Sequence, residues 1–141
     1  MVYLLNIMKF IKWPEQTNDQ LTLCYVDSKE LQHFIGSIAG KKVKGMMINL
    51  RKMKAVTDLK QCSIAYLEAV NPSSASQVIS EARKLGVVDI ADGIGYTEAG
   101  GAISFVVINN RLRFNINITE AELRGVSMSA NLLELAHQVI H

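Results

Sequence analysis

Apolar side chains occupy most of the first twelve positions and spread around too much of a helix for it to rest one face on a core. They are Tyr3, Leu4, Leu5, Ile7, Met8, Phe10 and Ile11. This pattern predicts a helix over residues 2–12 that needs a second surface to cover it. Trp13-Pro14 is predicted to end the helix, because the residue before a proline is pushed out of the helical region.

Strand-like and helix-like patterns alternate from residue 21 to residue 90. Strands are predicted at Leu21–Val26, at Val43–Leu50 with an interruption at Gly45, at Ser63–Glu68 and at Val87–Ile90. One helix is predicted from the Asp27/Glu30 capping box to about Ile38, and another from Asn71-Pro72 to Leu85. This alternation favours a mostly parallel central sheet with helices on both faces.

A β-hairpin is predicted between residues 102 and 118, because Asn109-Asn110 separates two strand patterns and both residues tolerate the backbone of a two-residue turn. Counting outward from the turn predicts a core side, formed by Ile103, Phe105, Val107, Leu112, Phe114 and Ile116. The other side is predicted to be an outer surface of mixed apolar and guanidinium character. It carries Ser104, Val106, Ile108, Arg111, Arg113, Asn115 and Asn117.

The last third of the chain ends in a second apolar helical pattern. Thr119 and Glu122 have the spacing of a capping box, and a final helix is predicted to close the fold. Its apolar residues are Leu132, Leu133, Leu135, Ala136, Val139 and Ile140. We therefore predict one α/β domain over residues 1–141, with a mostly parallel central sheet, helices on both faces and a C-terminal antiparallel hairpin.

Composition narrows the function classes. With 141 residues and 49% hydrophobic residues, the chain can bury a core without metal support. The net charge of +2 is too small for the field that holds a phosphate backbone, so nucleic acid is not expected as a partner. No apolar stretch reaches the length of a membrane span. The first 14 residues do not have the pattern of a signal peptide, but the chain begins inside an apolar helical pattern, as a chain trimmed after its targeting segment would, so export stays open at this point.

Few residues are candidates for catalysis. His33 lies on a predicted helix, where a packed or solvated role is expected. His137 and His141 have the spacing of a zinc-protease helix, but Gln138 stands where the general base would be. We therefore expect no catalytic residue, no metal site and no cofactor.

Two features leave alternatives open. Cys24 and Cys62 each lie in an apolar strand-like run, so buried reduced thiols and a disulfide in an oxidising compartment both fit. The glycine-rich stretch from Asp92 to Gly101 could cradle a phosphate, but it lacks the spacing of either nucleotide-binding motif, and a turn leading into the hairpin is the simpler interpretation.

The whole chain resembles the YfiR-like family of bacterial periplasmic regulators. The resemblance rests on five stretches in order: Tyr3 to Pro14 with its Trp-Pro ending, Leu21 to Cys24, Gln61 to Tyr66, Gly100 to Phe105, and Asn110 to Asn117. It implies export to the periplasm, and it implies a disulfide between Cys24 and Cys62. The stretch Ser127 to Asn131 departs from the usual family ending, which affects the identity of the partner.

The resemblance implies a non-enzymatic regulator that binds and represses the periplasmic sensor region of a membrane signalling enzyme, a diguanylate cyclase of cyclic-di-GMP signalling or a sensor kinase. The resemblance also implies an outer-membrane lipoprotein that can sequester the regulator. We further expect the protein to form a homodimer. Independently of the family, Trp13, Arg111, Arg113, Val106 and Ile108 are candidate partner-binding residues, since Trp and Arg are enriched at binding hot spots. The alternative is a small-molecule or nucleotide receptor that uses the 92–101 loop.

Overall fold

The computed structural model describes residues 2–14, 20–26 and 29–141. The first half contains helix α1 (Val2–Phe10), strands β1 (Ile11–Lys12) and β2 (Gln20–Val26), helix α2 (Lys29–Ile38), strands β3 (Lys42–Val43) and β4 (Met46–Met53), a 3-10 helix (Val56–Gln61) and strand β5 (Ile64–Ala69). The second half contains helix α3 (Pro72–Leu85), strands β6 (Val88–Asp92), β7 (Ile103–Ile108) and β8 (Arg111–Asn117), helix α4 (Ile118–Leu123), strand β9 (Ser127–Met128), helix α5 (Ala130–Leu135) and strand β10 (Gln138–Ile140).

Eight of the described strands form one sheet in the order β10-β8-β7-β6-β5-β2-β4-β3. The strands β4, β2, β5, β6 and β7 run parallel to one another, and β10 runs parallel to β8. The β7–β8 pair is antiparallel, as is the β3–β4 pair at the far edge. The predicted fold class, a mostly parallel α/β sheet with a C-terminal antiparallel hairpin, is confirmed.

Alternate residues of each central strand pack on opposite faces of this sheet. In β2, Leu23 and Tyr25 join the main core with α1, α2 and α5, whereas Cys24 joins a second cluster with α3 and the 3-10 helix. In β5, Tyr66 and Leu67 divide between the same two clusters. Helices therefore cover both faces, as the alternation of elements predicts.

Three local features predicted from the sequence are present in the structure: the start of α3, its end and the turn of the hairpin. The Asn71 side chain accepts a hydrogen bond from the Ser73 amide, Pro72 opens α3, and Gly86 ends it in a left-handed conformation. Asn109 and Asn110 both have positive φ in the hairpin turn. The predicted Asp27/Glu30 capping box lies outside the residues whose side chains are described.

Helix α1 ends at Phe10, earlier than Trp13-Pro14 predicts. Ile11 and Lys12 instead pair with Met128 and Ser127 in a separate two-stranded sheet. The second surface that the wide apolar stripe requires is supplied by the chain itself. Leu4, Ile7, Met8 and Ile11 are all fully buried.

Two other predicted elements are wrong in detail. The predicted strand 43–50 is a tight hairpin, because Lys44 and Gly45 take positive φ and turn β3 back onto β4. The predicted last helix stops at Leu135, and residues 138–140 form β10, which supplies backbone partners to the outer edge of β8. In addition, Asn117 caps α4 through its side chain, two residues before the predicted Thr119 cap. None of the described helices is long and apolar enough to cross a membrane.

Candidate interaction surface

The β7–β8 hairpin has the predicted register. Phe105 lies opposite Phe114, Val106 opposite Arg113, and Ile108 opposite Arg111. The two faces of the hairpin are therefore divided as the count from the turn predicts, with Val106, Ile108 and the two arginines on one face. This register places the candidate residues, but it does not decide which of them reach solvent.

The sequence predicts one buried and one exposed face of the hairpin, and this prediction is wrong. Residues far from the turn are buried on both faces, and residues near the turn are exposed or half-buried on both faces. At the base, the face predicted to be outer is closed: Ser104, Asn115 and Asn117 are buried, and Asn117 donates a side-chain hydrogen bond of 2.9 Å to the Thr97 carbonyl. Val106 is only 3% exposed, so it cannot meet a partner in this structure. The stretch 94–101 folds over this face, which no local pattern in the hairpin predicts.

At the tip the hairpin is open on both faces. Val107, predicted to face the core, is 66% exposed, and Arg111 is exposed, while Ile108 and Arg113 are half-buried. We call Val107, Ile108, Arg111 and Arg113 the hairpin tip surface. Its arginine-bearing face keeps the apolar and guanidinium character predicted from the sequence through Ile108, and Val107 is exposed on the opposite face.

Trp13 is half-buried and packs against the main core. Its indole Nε1 donates a hydrogen bond of 3.2 Å to the Met8 carbonyl, which satisfies the polar atom of the ring. The part of the ring that remains accessible could contact a partner.

Trp13 and the hairpin tip surface lie toward opposite ends of the parallel strands. Lys44, in the turn that leads into β4, donates a hydrogen bond of 2.9 Å from Nζ to the Ile11 carbonyl, which places the end of α1 at the amino ends of the parallel strands. The hairpin turn follows the carboxyl end of β7, one strand length away, which is about 20 Å for six residues. The structure therefore does not bring Trp13 together with the two arginines.

A disulfide joins Cys24 and Cys62, whose Cα atoms are 5.8 Å apart. Cys24 lies in the centre of β2, and Cys62 directly follows the 3-10 helix. The segment from β4 to β5 crosses over β2, and the disulfide links that segment to β2. The pairing implied by the family resemblance is thus present, and the alternative of two reduced thiols is not.

The glycine-rich stretch forms a turn before β7, exposed at residues 92–94 and packed at its Gly101 end. The Tyr96 ring lies against Gly101, where any Cβ atom would overlap it. Tyr96 and Thr97 are buried, and Gly101 is buried beside them. Tyr96 thus fills the space at Gly101, whereas a Cβ atom at Gly93 or Gly95 would meet nothing within 4 Å.

A buried ion pair lies beneath this turn. The Asp89 carboxylate accepts hydrogen bonds from Arg124 Nε at 2.7 Å and from the Tyr96 hydroxyl at 2.5 Å. The side chains of Asp89 and Arg124 are fully buried, and Arg124 also donates to the Gly100 carbonyl at 3.1 Å. A charged residue inside the apolar run Val87–Ile90 was the sequence signal for such a pair. The cluster fixes the turn to β6 and α4.

The protonation states in this cluster follow from burial and from hydrogen bonds. Burial raises the pKa of Asp89, and the Arg124 guanidinium and the Tyr96 hydrogen bond oppose that rise. Burial also raises the pKa of the Tyr96 hydroxyl, which stays protonated and donates. For Glu120, burial alone would raise the pKa, but hydrogen bonds from Arg124 and Arg83 outweigh it and hold the pKa below its usual range.

The described residues contain no group of three potential metal ligands among His, Cys, Asp and Glu. His137 precedes a strand and His141 follows it, so the helical spacing that could have put both imidazoles on one metal does not form. The sequence interpretation missed Arg124, which only the tertiary packing identifies as buried, and it assigned Val107 to the core although this residue is exposed.

Comparison with solved structures gives the fold. An ABC domain in complex with L-Trp from Streptococcus pneumoniae matches with a TM-score of 0.61 and 13% identity, over 96% of this chain and 59% of that one. A conserved domain protein from Vibrio cholerae matches with a TM-score of 0.62 and 14% identity, over 98% of this chain and 58% of that one. This chain therefore spans less than two thirds of either neighbour, and at such identities the likeness shows the fold alone.

Comparison with curated proteins gives no match. The sequence profile of the YfiR/HmsC-like proteins, a periplasmic family that is regulatory rather than catalytic, matches residues 1–137. The disulfide between Cys24 and Cys62 is what an oxidising compartment permits. The chain belongs to the YfiR/HmsC-like family.

Proposed function

We propose that this protein is a non-enzymatic periplasmic regulator that binds and represses the periplasmic sensor region of a membrane diguanylate cyclase, and so lowers cyclic-di-GMP synthesis. A membrane sensor kinase is the second candidate for the target enzyme. Family membership supports the regulatory role. The observation that carries the mode of action is the hairpin tip surface, where Val107 is exposed on one face and Arg111 is exposed, next to half-buried Ile108, on the other.

The composition of this tip suits protein binding. Val107 is 66% exposed, and covering this aliphatic side chain with a partner would contribute favourably to the free energy of binding. On the other face of the tip, beside Ile108, the guanidinium groups of Arg111 and Arg113 offer planar, bidentate donors to carboxylates. The proposed partner therefore presents an apolar depression rimmed by Asp or Glu.

Binding would repress the enzyme by population shift. A regulator that prefers the inactive conformation of the sensor region moves the equilibrium toward it by its difference in affinity for the two states. An outer-membrane lipoprotein that captures the regulator would release the enzyme. We further propose that the regulator acts as a homodimer.

The test is binding of the whole chain to the purified periplasmic domain of a membrane diguanylate cyclase or sensor kinase from the same organism, measured by biolayer interferometry. The variant R111E/R113E reverses the charge of the tip. The matched control K41E/K60E makes the same change in net charge at exposed lysines away from the hairpin. We expect R111E/R113E to weaken binding by about tenfold or more and the control to bind like wild type.

Equal loss in the two variants would mean that net charge, not the tip, drives association, and no loss in R111E/R113E would remove the tip from the interface. Trp13 is tested separately because it lies toward the amino ends of the parallel strands, away from the hairpin tip surface. Trp13→Ala is compared with wild type for both affinity and melting temperature, since its packing against the core is lost as well. A loss of affinity at unchanged melting temperature supports Trp13 as a second contact, and unchanged affinity removes it.

A further inference from the structure

A cavity of about 340 Å³ opens at the carboxyl ends of three parallel strands. Its walls come from the end of β2, the end of β4, the 3-10 helix, the end of β5 and the first turns of α3. The lining residues are Val26, Met53, Lys54, Ala55, Val56, Leu59, Leu67, Val70, Asn71, Ser74 and Val78. The volume falls within the range of small-molecule sites, about 300–1,000 Å³.

The cavity lies where the chain reverses its direction of travel across the sheet. From β2 the chain passes through α2 to β4 on one side, and it then returns to β5 on the other side of β2. From β5 it continues through α3 to β6, away from β4. Connections that leave two adjacent strands in opposite directions open a crevice outside their carboxyl ends, and ligands of open α/β sheets bind there.

The end of β5 is shaped to line this crevice. Glu68 has a φ of +55°, and the pairing with β6 shifts register between Tyr66 and Ala69. The extra residue turns the strand, so that Leu67 and Val70 both line the cavity, although a regular strand would point them to opposite faces. The left-handed backbone of Glu68, a non-glycine residue, costs free energy, and it lies between the two residues of β5 that line the cavity.

The opposite wall is held in place by two links. The Cys24–Cys62 disulfide fastens the end of the 3-10 helix to β2. The Asp58 carboxylate accepts hydrogen bonds from the backbone amides of Lys54, at 2.7 Å, and Ala55, at 3.1 Å, which fixes the rim. The cavity is thus built by the fold before any ligand enters it.

Charge selects what the cavity would accept. Lys54 is the one charged side chain among the described residues that line it. Within the described part of the chain, the Lys54 ammonium and the Ser74 hydroxyl make no hydrogen bond or ion pair. The first amides of α3 are already taken, since the Asn71 side chain accepts from Ser73 and its carbonyl accepts from Ser74 and Ala75. Recognition of an anion would therefore come from side chains and not from the end of the helix.

We propose that this cavity binds a small organic carboxylate, with its apolar body among Met53, Leu59 and Val78 and its carboxylate at Lys54 and Ser74. The site lies apart from the hairpin tip surface and from Trp13, and its occupation needs no partner protein. Its failure would leave the proposed regulatory contact standing, and failure of that contact would leave the site standing.

The test uses the whole chain with labelled methyl groups, observed by NMR. The probes are 3-phenylpropionate, the uncharged 3-phenylpropan-1-ol and the cationic 3-phenylpropylamine, which share one apolar body. We expect 3-phenylpropionate to shift the methyl signals of Met53, Val56, Leu59 and Val78 in the millimolar range and to leave exposed Ile94 and Leu135 unchanged. The alcohol is expected to bind more weakly and the amine most weakly.

Two pairs of variants localise the binding. Ser74→Trp puts an indole at the cavity, whereas Ser80→Trp makes the same change at an exposed position of the same helix. Lys54→Met removes the ammonium, whereas Lys84→Met removes an exposed lysine from the far end of α3. We expect S74W to abolish the shifts, K54M to weaken binding of the acid by about two- to fivefold without changing that of the alcohol, and both controls to match wild type.

Several outcomes would overturn the proposal. Absence of cavity shifts with all three probes up to their solubility limits would reject the site, as would unchanged binding in S74W. Equal binding of the three probes, or preference for the amine, would reject the carboxylate. A folded spectrum of each variant, recorded before titration, ensures that a lost shift reports the cavity and not the fold.

Discussion

At the scale of single residues, the most constrained position is Asp89, a carboxylate at the centre of a sheet. Its oxygens accept from Arg124 and Tyr96, and both charges of the pair are removed from water. Such a pair contributes little net stability compared with apolar residues of the same shape, but removing one partner leaves the other charge buried alone. The pair therefore acts mainly to specify how the 94–101 turn and α4 sit on β6.

We predict that Asp89→Asn lowers the free energy of unfolding by about 3–5 kcal/mol, because Arg124 loses the carboxylate that compensates its buried charge. Chemical denaturation followed by circular dichroism measures this loss. Tyr96→Phe is the matched control, since it removes one hydrogen bond to the same carboxylate and keeps the ring against Gly101, and should cost about 1–2 kcal/mol. Equal losses in the two variants would show that the ion pair has no special weight.

At the scale of elements, the contact between α3 and α4 depends on ionised Glu120. Its Oε1 accepts from Arg83 of α3 at 2.8 Å and from Arg124 at 3.0 Å. These hydrogen bonds hold the pKa of Glu120 below the usual 4.5, although burial acts in the opposite direction. A carboxyl group whose pKa is lower in the folded state contributes stability above its unfolded pKa, and this contribution is lost as the pH falls through the folded pKa.

We predict that Glu120→Gln lowers the melting temperature at pH 7 and that the difference from wild type shrinks as the pH falls below about 4.5, where Glu120 of the unfolded chain takes up a proton, and vanishes below the lower pKa of the folded state. Thermal melts of both proteins across this range measure it. Glu134→Gln, at an exposed position of α5, is the matched control and should follow wild type throughout. A difference that stays constant with pH would show that Glu120 stabilises by packing and not by charge.

At the scale of the whole molecule, the disulfide divides the parallel sheet into a cross-linked half and a half without a cross-link among the described residues. It closes a loop of 38 residues that contains α2, the β3–β4 hairpin and the 3-10 helix. Closing such a loop restricts the unfolded chain and stabilises the native state by about 4 kcal/mol in the chain-entropy treatment.

We predict that the double variant C24S/C62S loses about 4 kcal/mol of stability and that wild type in reducing agent loses a similar amount. Denaturant titrations with and without the reductant measure both. The reductant should leave C24S/C62S unchanged, which is the internal control. Two free thiols in the intact mass of native, unreduced protein would contradict the disulfide and with it the periplasmic assignment.

The sequence alone determined the features that depend on near neighbours in the chain. The Asn71-Pro72 start and Gly86 end of α3, the Asn109-Asn110 turn and the register of the hairpin all rest on backbone preferences of a few adjacent residues. The alternation of apolar runs was enough to indicate a mostly parallel sheet covered on both faces. Family resemblance, and not spacing, supplied the cysteine pairing.

Only the tertiary structure decided what depends on distant parts of the chain. Ile11-Lys12 and residues 138–140 are strands because β9 and the outer edge of β8 offer them backbone partners, which outweighs their local helical pattern. Val106 is buried and Val107 exposed, a difference that the alternating pattern of the hairpin does not contain, and the Asn117–Thr97 hydrogen bond shows a distant segment packed on the base of the hairpin. The cavity at the ends of β2, β4 and β5 likewise exists only because the order of the strands differs from their order in the sequence, and no local pattern encodes that order.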